Sequence, residues 1–240
     1  MKSSLLIFLS FLLTSTVCGQ YLRSPEHRFT FTLASNGNQQ ALSLNWNHVH
    51  GIGKKKNFRM GYGLRYTQNW GGSSTFTTAP AELTSGQTGL GVIFSDYVIE
   101  NLDTLGFSTY SVGSLNAGIF LNYRIGEKWE IEFNIDAVGF SFGREQNATY
   151  TTSKASNFSQ EQAAAPTSLN LLLTSDNDIG SLNSELLIRY RIHPQWSLQA
   201  GPSFLFTEYT TKNKLYLDNA RFRNKALMGM FGVSYHPFRS

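Results

Sequence analysis

Eight segments of the chain alternate large apolar residues with polar residues at a period of two, which is the pattern of β-strands. These segments lie approximately at 27–34, 41–49, 58–70, 111–125, 129–143, 182–192, 196–209 and 226–235. Most of them reach or exceed the roughly 9–11 residues that a tilted strand needs to cross a bilayer. A short helical turn at 160–165 is the only competing period that we expect. The alternation therefore predicts an all-β chain.

The two faces of the predicted strands differ sharply in charge. One phase consists of apolar and aromatic residues and, where the segment 196–209 is counted only as far as Phe206, holds no charged residue. The opposite phase holds arginine, glutamate, aspartate and many glycines, but no lysine. A solvated surface would be expected to hold many lysines, whereas arginine suits a confined ion-pair network because its guanidinium satisfies several acceptors at once. The polar phase is therefore predicted to face the interior of a closed barrel and the apolar phase to face lipid.

An eight-stranded barrel is just wide enough for side chains to fill its interior. We therefore expect a lumen closed by ion pairs. The predicted network consists of Arg28, Arg59, Arg65, Arg124, Arg189, Arg191, Glu130, Glu132, Asp136 and Glu185. Beyond Asp136 the apolar residues Val138, Phe140 and Phe142 take the polar phase, which predicts either a β-bulge or the outer edge of the membrane there. A soluble lipocalin-like barrel is the rival fold, and it would place the apolar face inside.

The connections between the predicted strands alternate in length. "GIGKKKN", "GEK" and "HPQ" are short and polar, whereas 71–109 and 144–177 are long. Outer-membrane barrels have short periplasmic turns and long extracellular loops. The sequence therefore predicts an eight-stranded antiparallel up-and-down transmembrane β-barrel with both termini in the periplasm. Trp129 and Trp196 each follow a short turn, where their amphipathic rings would lie at the interface between lipid and water.

The first residues have the layout of a secretory signal peptide. One lysine precedes an apolar run from Leu5 to Leu13, and small and polar residues follow it. We expect a signal peptide over 1–19 and the barrel over 20–240. A lipidated Cys18 is the alternative, although Val17 precedes it where a small residue is favoured. Beyond Cys18 the chain holds no cysteine, so disulfide and thiol chemistry carry neither fold nor function.

Few motifs indicate chemistry. The net charge of +4 is scattered, so nucleic acid is not an expected partner. His48 and His50 share a strand face and could begin a metal site, and Asp176 and Asp178 have the oxygen spacing of calcium loops, but neither pair has its further ligands. No phosphate loop or dinucleotide fingerprint is present. We therefore expect no catalytic residue, no metal and no cofactor.

Three stretches carry a family resemblance: the predicted signal peptide ending in "GQ", the hairpin "YRIHPQWSLQAGPSFLF", and the terminal "GVSYHPF". The chain resembles the small outer-membrane β-barrel proteins of Bacteroidota-type bacteria, the outer membrane protein beta-barrel domain group that includes PorT-like proteins. The resemblance implies the outer membrane as location, its lipid as surroundings, and the barrel assembly machinery as a partner during biogenesis. It implies little about activity.

Three functions remain open from the sequence. The first is a structural or surface-interaction barrel acting through its extracellular loops, whose Ser, Thr, Asn and aromatic residues suit a glycan or protein partner. The same composition suits a cap that packs on itself. The second is a narrow channel or carrier for small solutes. The third is a lipid-modifying membrane enzyme, although we do not expect the protein to be an enzyme.

Overall fold

The computed structural model describes residues 26–86, 98–152, 154, 159–173 and 175–237. The predicted signal peptide at 1–19 lies outside these residues. The described strands are β1 (Glu26–Ser35), β2 (Gln39–Ile52), β3 (Phe58–Gly71), β4 (Ser74–Thr78), β5 (Thr104–Phe107), β6 (Tyr110–Ile125), β7 (Trp129–Phe142), β8 (Gln146–Thr151), β9 (Ser159–Pro166), β10 (Leu169–Leu171), β11 (Asn183–His193), β12 (Trp196–Thr211) and β13 (Arg221–Tyr235). A short helix, α1 (Ala81–Ser85), and 3-10 turns at Ile99–Asn101, Ser175–Asn177 and Tyr216–Asp218 complete the described elements. No helix among them is long and apolar enough to cross a membrane.

The long strands form a closed antiparallel ring. Pairing runs from β1 through β2, β3, β6, β7, β11, β12 and β13, and β13 pairs again with β1. We call these strands the main ring. Each of the eight predicted segments overlaps one strand of the main ring. The prediction of eight strands in total is nevertheless wrong. The described part of the chain contains thirteen strands in one sheet.

The additional strands come from the connections that the sequence presented as loops. β4, β5, β8 and β9 pair in series, β4 joins the start of β13, and β9 joins the end of β12. Because β12 also pairs with β13, these strands close a second ring, which we call the cap. The helical turn expected at 160–165 is wrong, since that segment forms β9. Its pairing with β8 and β12 decides its conformation.

An apolar core fills the cap. It consists of Phe76, Leu105, Phe107, Tyr110, Val112, Ala148, Tyr150, Ala164, Tyr209 and Phe222. Phe76 is completely buried and makes edge-to-face contacts with Phe107, Tyr110 and Tyr209 at centroid distances of 5.0–5.5 Å. Such contacts add to the free energy gained by burying the rings. Several aromatic residues of the predicted loops are therefore occupied in internal packing.

The bulge predicted after Asp136 is confirmed. Ala117 pairs with Val138 and Gly118 pairs with Asp136, so Ala137 is the extra residue of β7. An extra residue reverses the alternation of faces in the strand beyond it. Val138, Phe140 and Phe142 accordingly lie on the outer surface, about half exposed, whereas Asp136 lies inside.

The main ring is apolar on its outer surface and polar inside. Its exposed large side chains include Phe29, Phe31, Leu44, Leu64, Ile119, Ile131, Phe133, Leu186, Ile188, Phe204, Leu227 and Phe231. Arg28, Arg65, Glu130, Glu132, Asp136 and Glu185 are instead buried. This distribution is the inverse of that in a water-soluble barrel, where charged groups lie outside.

We expect Phe76→Ala to lower the free energy of local opening of the cap by about 3–5 kcal/mol, because it removes a completely buried ring. Amide hydrogen exchange of β4 and β5 measures this opening. Thr75→Ala changes the neighbouring, outward-facing residue and should shift the same exchange by less than about 0.5 kcal/mol. Equal effects of the two substitutions would contradict the cap core.

Candidate functional site

The lower part of the lumen is built around the carboxylates of β7. Glu130 and Glu132 alternate with outward-facing apolar residues, so both point inward. Arg28 reaches them from the opposite wall, with Nη2 2.9 Å from Glu130 and Nη1 2.6 Å from Glu132. Arg28 and both glutamates are at most 4% exposed at their side chains. The pairs therefore cross the lumen rather than lie along its wall.

Arg189 completes this lower cluster from the adjacent strand β11. It lies directly opposite Glu130 in the register of β7 and β11, and it contacts Glu130 and Glu132, the latter at 3.0 Å. Its Nε donates to Gln199 Oε1 at 2.9 Å. Two carboxylates thus share two guanidiniums, which satisfies several lone pairs of each acid in a site closed to water.

Glu26 is a member of the cluster that the sequence analysis missed. Its carboxylate lies 2.7 Å from Arg59, 3.4 Å from Arg28 and 3.5 Å from Arg124. Glu26 stands one residue before the first predicted strand and lies on the same strand face as Arg28. This shared face was the sequence signal that could have placed Glu26 in the network. Within the predicted set, Arg59 has a carboxylate contact only with Glu130, at 3.6 Å. Glu26 gives Arg59 a closer partner and is the carboxylate that Arg124 contacts.

A second cluster lies farther along the lumen. Arg65 contacts Asp136 and Glu185, each at 3.2 Å, and its Nε donates to Asn45 at 2.9 Å. Asn134 links the two clusters, because its amide donates to Glu132 at 3.2 Å and to Glu185 at 3.0 Å. The structure therefore brings nine of the ten predicted network residues into contacts with opposite charges.

Arg191 departs from the predicted network. It lies near the end of β11, where it donates to the backbone carbonyl of Glu127 at 2.8 Å. Within the described part of the chain, no carboxylate lies within 4.0 Å of its guanidinium. Its side chain is only partly buried, so solvent meets part of its charge.

His236 joins the two ends of the described chain. Its Nδ1 lies 2.7 Å from Glu26 in β1, and its Nε2 lies 2.9 Å from the Ser197 hydroxyl in β12. Burial lowers the pKa of His236 to about 4, so the ring is neutral at pH 7. Nδ1–H then donates to Glu26, and Nε2 accepts from Ser197.

The order Ser197–His236–Glu26 is that of a hydrolase triad, yet the geometry favours a structural role. Ser197 and His236 are each 1% exposed, so their reactive atoms do not meet solvent. Glu26 is shared with three arginines. We therefore assign the three residues to closing the seam between the first and last strands.

The predicted interface tryptophans lie on the outer surface at one end of the main ring. Trp129 is 49% exposed and packs on Tyr190 at 4.6 Å between ring centroids. Trp196 is 44% exposed and packs on Tyr235 at 4.9 Å. Each tryptophan thus pairs with a tyrosine of the adjacent strand directly after a short turn.

The two weak metal motifs take other contacts. His48 and His50 point to the outer surface beside His27, and a ring nitrogen of His48 lies 3.2 Å from one of His27. Asp178 accepts from the Leu173 amide at 2.7 Å, and Asp176 pairs with Lys225. In the described ranges, no group of three or more His, Cys, Asp or Glu side chains could hold a metal ion.

A third charged cluster lies where β12 and β13 enter the cap. Glu208 is completely buried and contacts Arg221 at 2.7 Å and Arg223 at 2.8 Å. Glu208 and Arg223 are direct partners in the register of β12 and β13. This cluster is not predicted from the sequence, because its residues lie beyond the predicted alternation or at its end, on the outward phase of their strands.

We expect Glu132→Ala to lower the free energy of unfolding by about 3–5 kcal/mol, because it leaves Arg28 and Arg189 buried with one carboxylate fewer. Denaturant unfolding of the protein in lipid vesicles measures the change. Glu127→Ala, in the exposed turn after β6, is the matched control and should change stability by less than about 0.5 kcal/mol. A Glu132→Ala protein as stable as the control would show that the cluster does not hold the barrel.

No family model matches the chain, and no curated protein matches it significantly. Several solved structures are similar to it in fold. Ail of Yersinia pestis is 14% identical with a TM-score of 0.36, over 88% of this chain and 99% of that chain. A major outer membrane protein of Thermus thermophilus is 11% identical with a TM-score of 0.36, over 89% and 99%. Neisserial surface protein A is 10% identical with a TM-score of 0.33, over 88% and 95%. At these scores and identities, the similarities carry no functional assignment.

Proposed function

We propose that this protein is an integral outer-membrane β-barrel whose eight-stranded main ring spans the bilayer, whose lumen is closed, and whose cap acts at the cell surface. The observation that carries the proposal is the inverted distribution of side chains in the main ring. Paired charges fill the inside, and large apolar groups cover the outside. Lipid is the surrounding in which such an outer surface is stable. A lipocalin-like soluble barrel would require the opposite arrangement.

The proposed orientation follows from the two ends of the ring. At one end, short turns connect β2 to β3, β6 to β7 and β11 to β12, and the tryptophan–tyrosine pairs lie beside two of them. At the other end lies the cap. Because outer-membrane barrels have their long connections outside the cell, we place the cap there and both termini in the periplasm.

Three layers support a closed lumen. The two ion-pair clusters occupy the lower and middle parts of the barrel. The second layer is a buried apolar group in the interior, which consists of Ala34, Ala41, Leu187, Leu205, Ala226, Met228 and Met230. The cap core adds a third. A continuous aqueous path would have to break all three, so a structural or surface-interaction role is favoured over a channel.

The surface role is proposed for the cap rather than for free loops. Its aromatic core makes the cap a rigid platform, and the polar residues on its outside remain available to a glycan or protein partner. Lipid modification is not proposed, because Ser197, whose hydroxyl contacts His236, is buried.

Planar-bilayer recording tests the closed lumen. We expect almost no current from the intact protein, because its interior charges are paired and buried. The Arg28→Ala, Glu132→Ala double variant removes one charge of each sign from the lower cluster. It should still carry almost no current, because the second cluster and the cap core remain. A steady, well-resolved single-channel current from the intact protein would replace this proposal by the channel hypothesis.

Arginine substitutions on the outer surface test the membrane embedding. Phe133→Arg places a charge in the middle of the apolar band and should cost about 2–4 kcal/mol in lipid vesicles. Ile125→Arg makes an equivalent change at the end of β6, near the expected interface, and should cost about 0–1 kcal/mol. If both variants unfold at the same denaturant concentration as the unmodified protein, the outer surface does not face lipid.

A further inference from the structure

The outward face of β13 changes from apolar to basic along its length. Phe231 and Leu227 are 55% and 65% exposed, whereas Lys225, Arg223 and Arg221 follow at alternate positions on the same face. Residues two apart share a face of a strand, so these side chains form one continuous column. Under the proposed function, the change from Leu227 to Lys225 marks the upper edge of the lipid-facing band.

A pocket of about 360 Å³ opens at this edge, between β4 and β13. The polar residues that line it include Thr75, Thr77, Asp176, Arg223, Asn224 and Lys225. Its charged lining therefore consists of two cations and one carboxylate. Thr75 and Thr77 point outward from β4 and are exposed. The pocket is thus open to the surroundings of the barrel and not to its lumen.

Arg223 is held rigidly beside this pocket with part of its guanidinium unused. Its side chain is 1% exposed, and Nη2 and Nε donate to Glu208 at 2.8 and 3.2 Å. Nη1 has no hydrogen-bond partner among the described residues, and the Asp176 carboxylate is 3.9 Å from it. Leaving a buried charged donor unpaired is unfavourable. A ligand that supplies an oxyanion would satisfy Nη1.

We propose that this pocket binds the phosphate group of an outer-leaflet lipid. The proposal rests on the membrane embedding and orientation argued above. A guanidinium and an ammonium side by side recognise phosphate oxygens, and the Thr75 hydroxyl supplies a further donor. Basic residues at the edge of an apolar band lie at the depth of lipid headgroups. The acyl chains of the same lipid would lie against the exposed face at Leu227 and Phe204.

The position of the pocket distinguishes a lipid phosphate from free phosphate. Arg223 lies 5.1 Å and Lys225 lies 5.6 Å from the centre of the Phe206 ring, so both cations sit directly on an apolar surface. A lipid contacts the cations and this surface together, whereas inorganic phosphate contacts only the cations. Binding of a lipid should therefore be much stronger than binding of the free ion.

Native mass spectrometry of the full chain in detergent tests the proposal with three probes: phosphatidic acid, diacylglycerol with the same acyl chains, and inorganic phosphate. We expect phosphatidic acid to bind at least about tenfold more tightly than diacylglycerol, since a charge-assisted hydrogen bond contributes at least that much. We expect a similar preference over inorganic phosphate, which lacks the acyl chains that contact the apolar surface. Lys225→Gln and Thr75→Val should each weaken it, the first by about tenfold. Both change partly or fully exposed residues, so the buried pairs of Arg223 remain intact.

Lys214→Gln is the matched control, because Lys214 also pairs with an aspartate, Asp218, at an exposed site away from the pocket. It should leave the binding of phosphatidic acid unchanged. Equal affinity for diacylglycerol would overturn recognition of the phosphate, and equal affinity for inorganic phosphate would overturn the lipid assignment. Equal loss in Lys214→Gln and Lys225→Gln would place the binding elsewhere. If Phe133→Arg shows that the band faces lipid while phosphatidic acid does not bind, only the pocket proposal fails.

Discussion

Pairing of the β7 carboxylates with arginines is the interaction on which the rest of the barrel depends. Glu130, Glu132 and Asp136 would each be strongly unfavourable in this interior without a cation, because water cannot replace the missing partner. Arg189 reaches Glu130 from the adjacent strand, whereas Arg28 reaches Glu130 and Glu132 across the lumen. Arg65 reaches Asp136 from β3, past the intervening strand β6. The same contacts therefore hold opposite walls together and fix the register of β7 against β11. A shift of one residue would place the acids on the apolar outer surface.

The sequence predicts the main ring well because the ring is specified locally. Each of its strands alternates along its own length, and that pattern can be read without knowledge of its neighbours. The cap strands are harder to predict from the sequence. β4 and β5 have only five and four residues, and β8 and β9 pair with β5 and β12, which are distant in the chain. Their conformation depends on partners rather than on their own alternation. The composition of 71–109 and 144–177 suited either partner contacts or a cap that packs on itself, and Phe76, Phe107 and Tyr150 form part of the core of the cap.

The charged residues divide in the same way: those on strands with clear alternation were predicted, and those held by contacts distant in the chain were not. Nine of the ten predicted network residues contact a residue of opposite charge. An arginine or acid on the polar phase of a strand points into the lumen, where its partners lie. Glu26 and His236 were missed because each lies one residue outside a predicted strand. Glu208 and Arg223 were missed for another reason. They face outward, and the segment at 176–181 covers them through contacts that depend on the three-dimensional course of that segment.

The hairpin of β12 and β13 belongs to both rings, and this sharing has a mechanical consequence. Fifteen residue pairs join the two strands without interruption, from Trp196–Tyr235 at one end to Thr210–Arg221 at the other. The cap is thus an extension of the barrel wall rather than a flexible loop above it. A group bound on its outer flank, at Arg223 or Lys225, is held at a fixed height above the apolar band. Surface recognition on such a platform loses little conformational entropy, because the platform is ordered before its partner arrives.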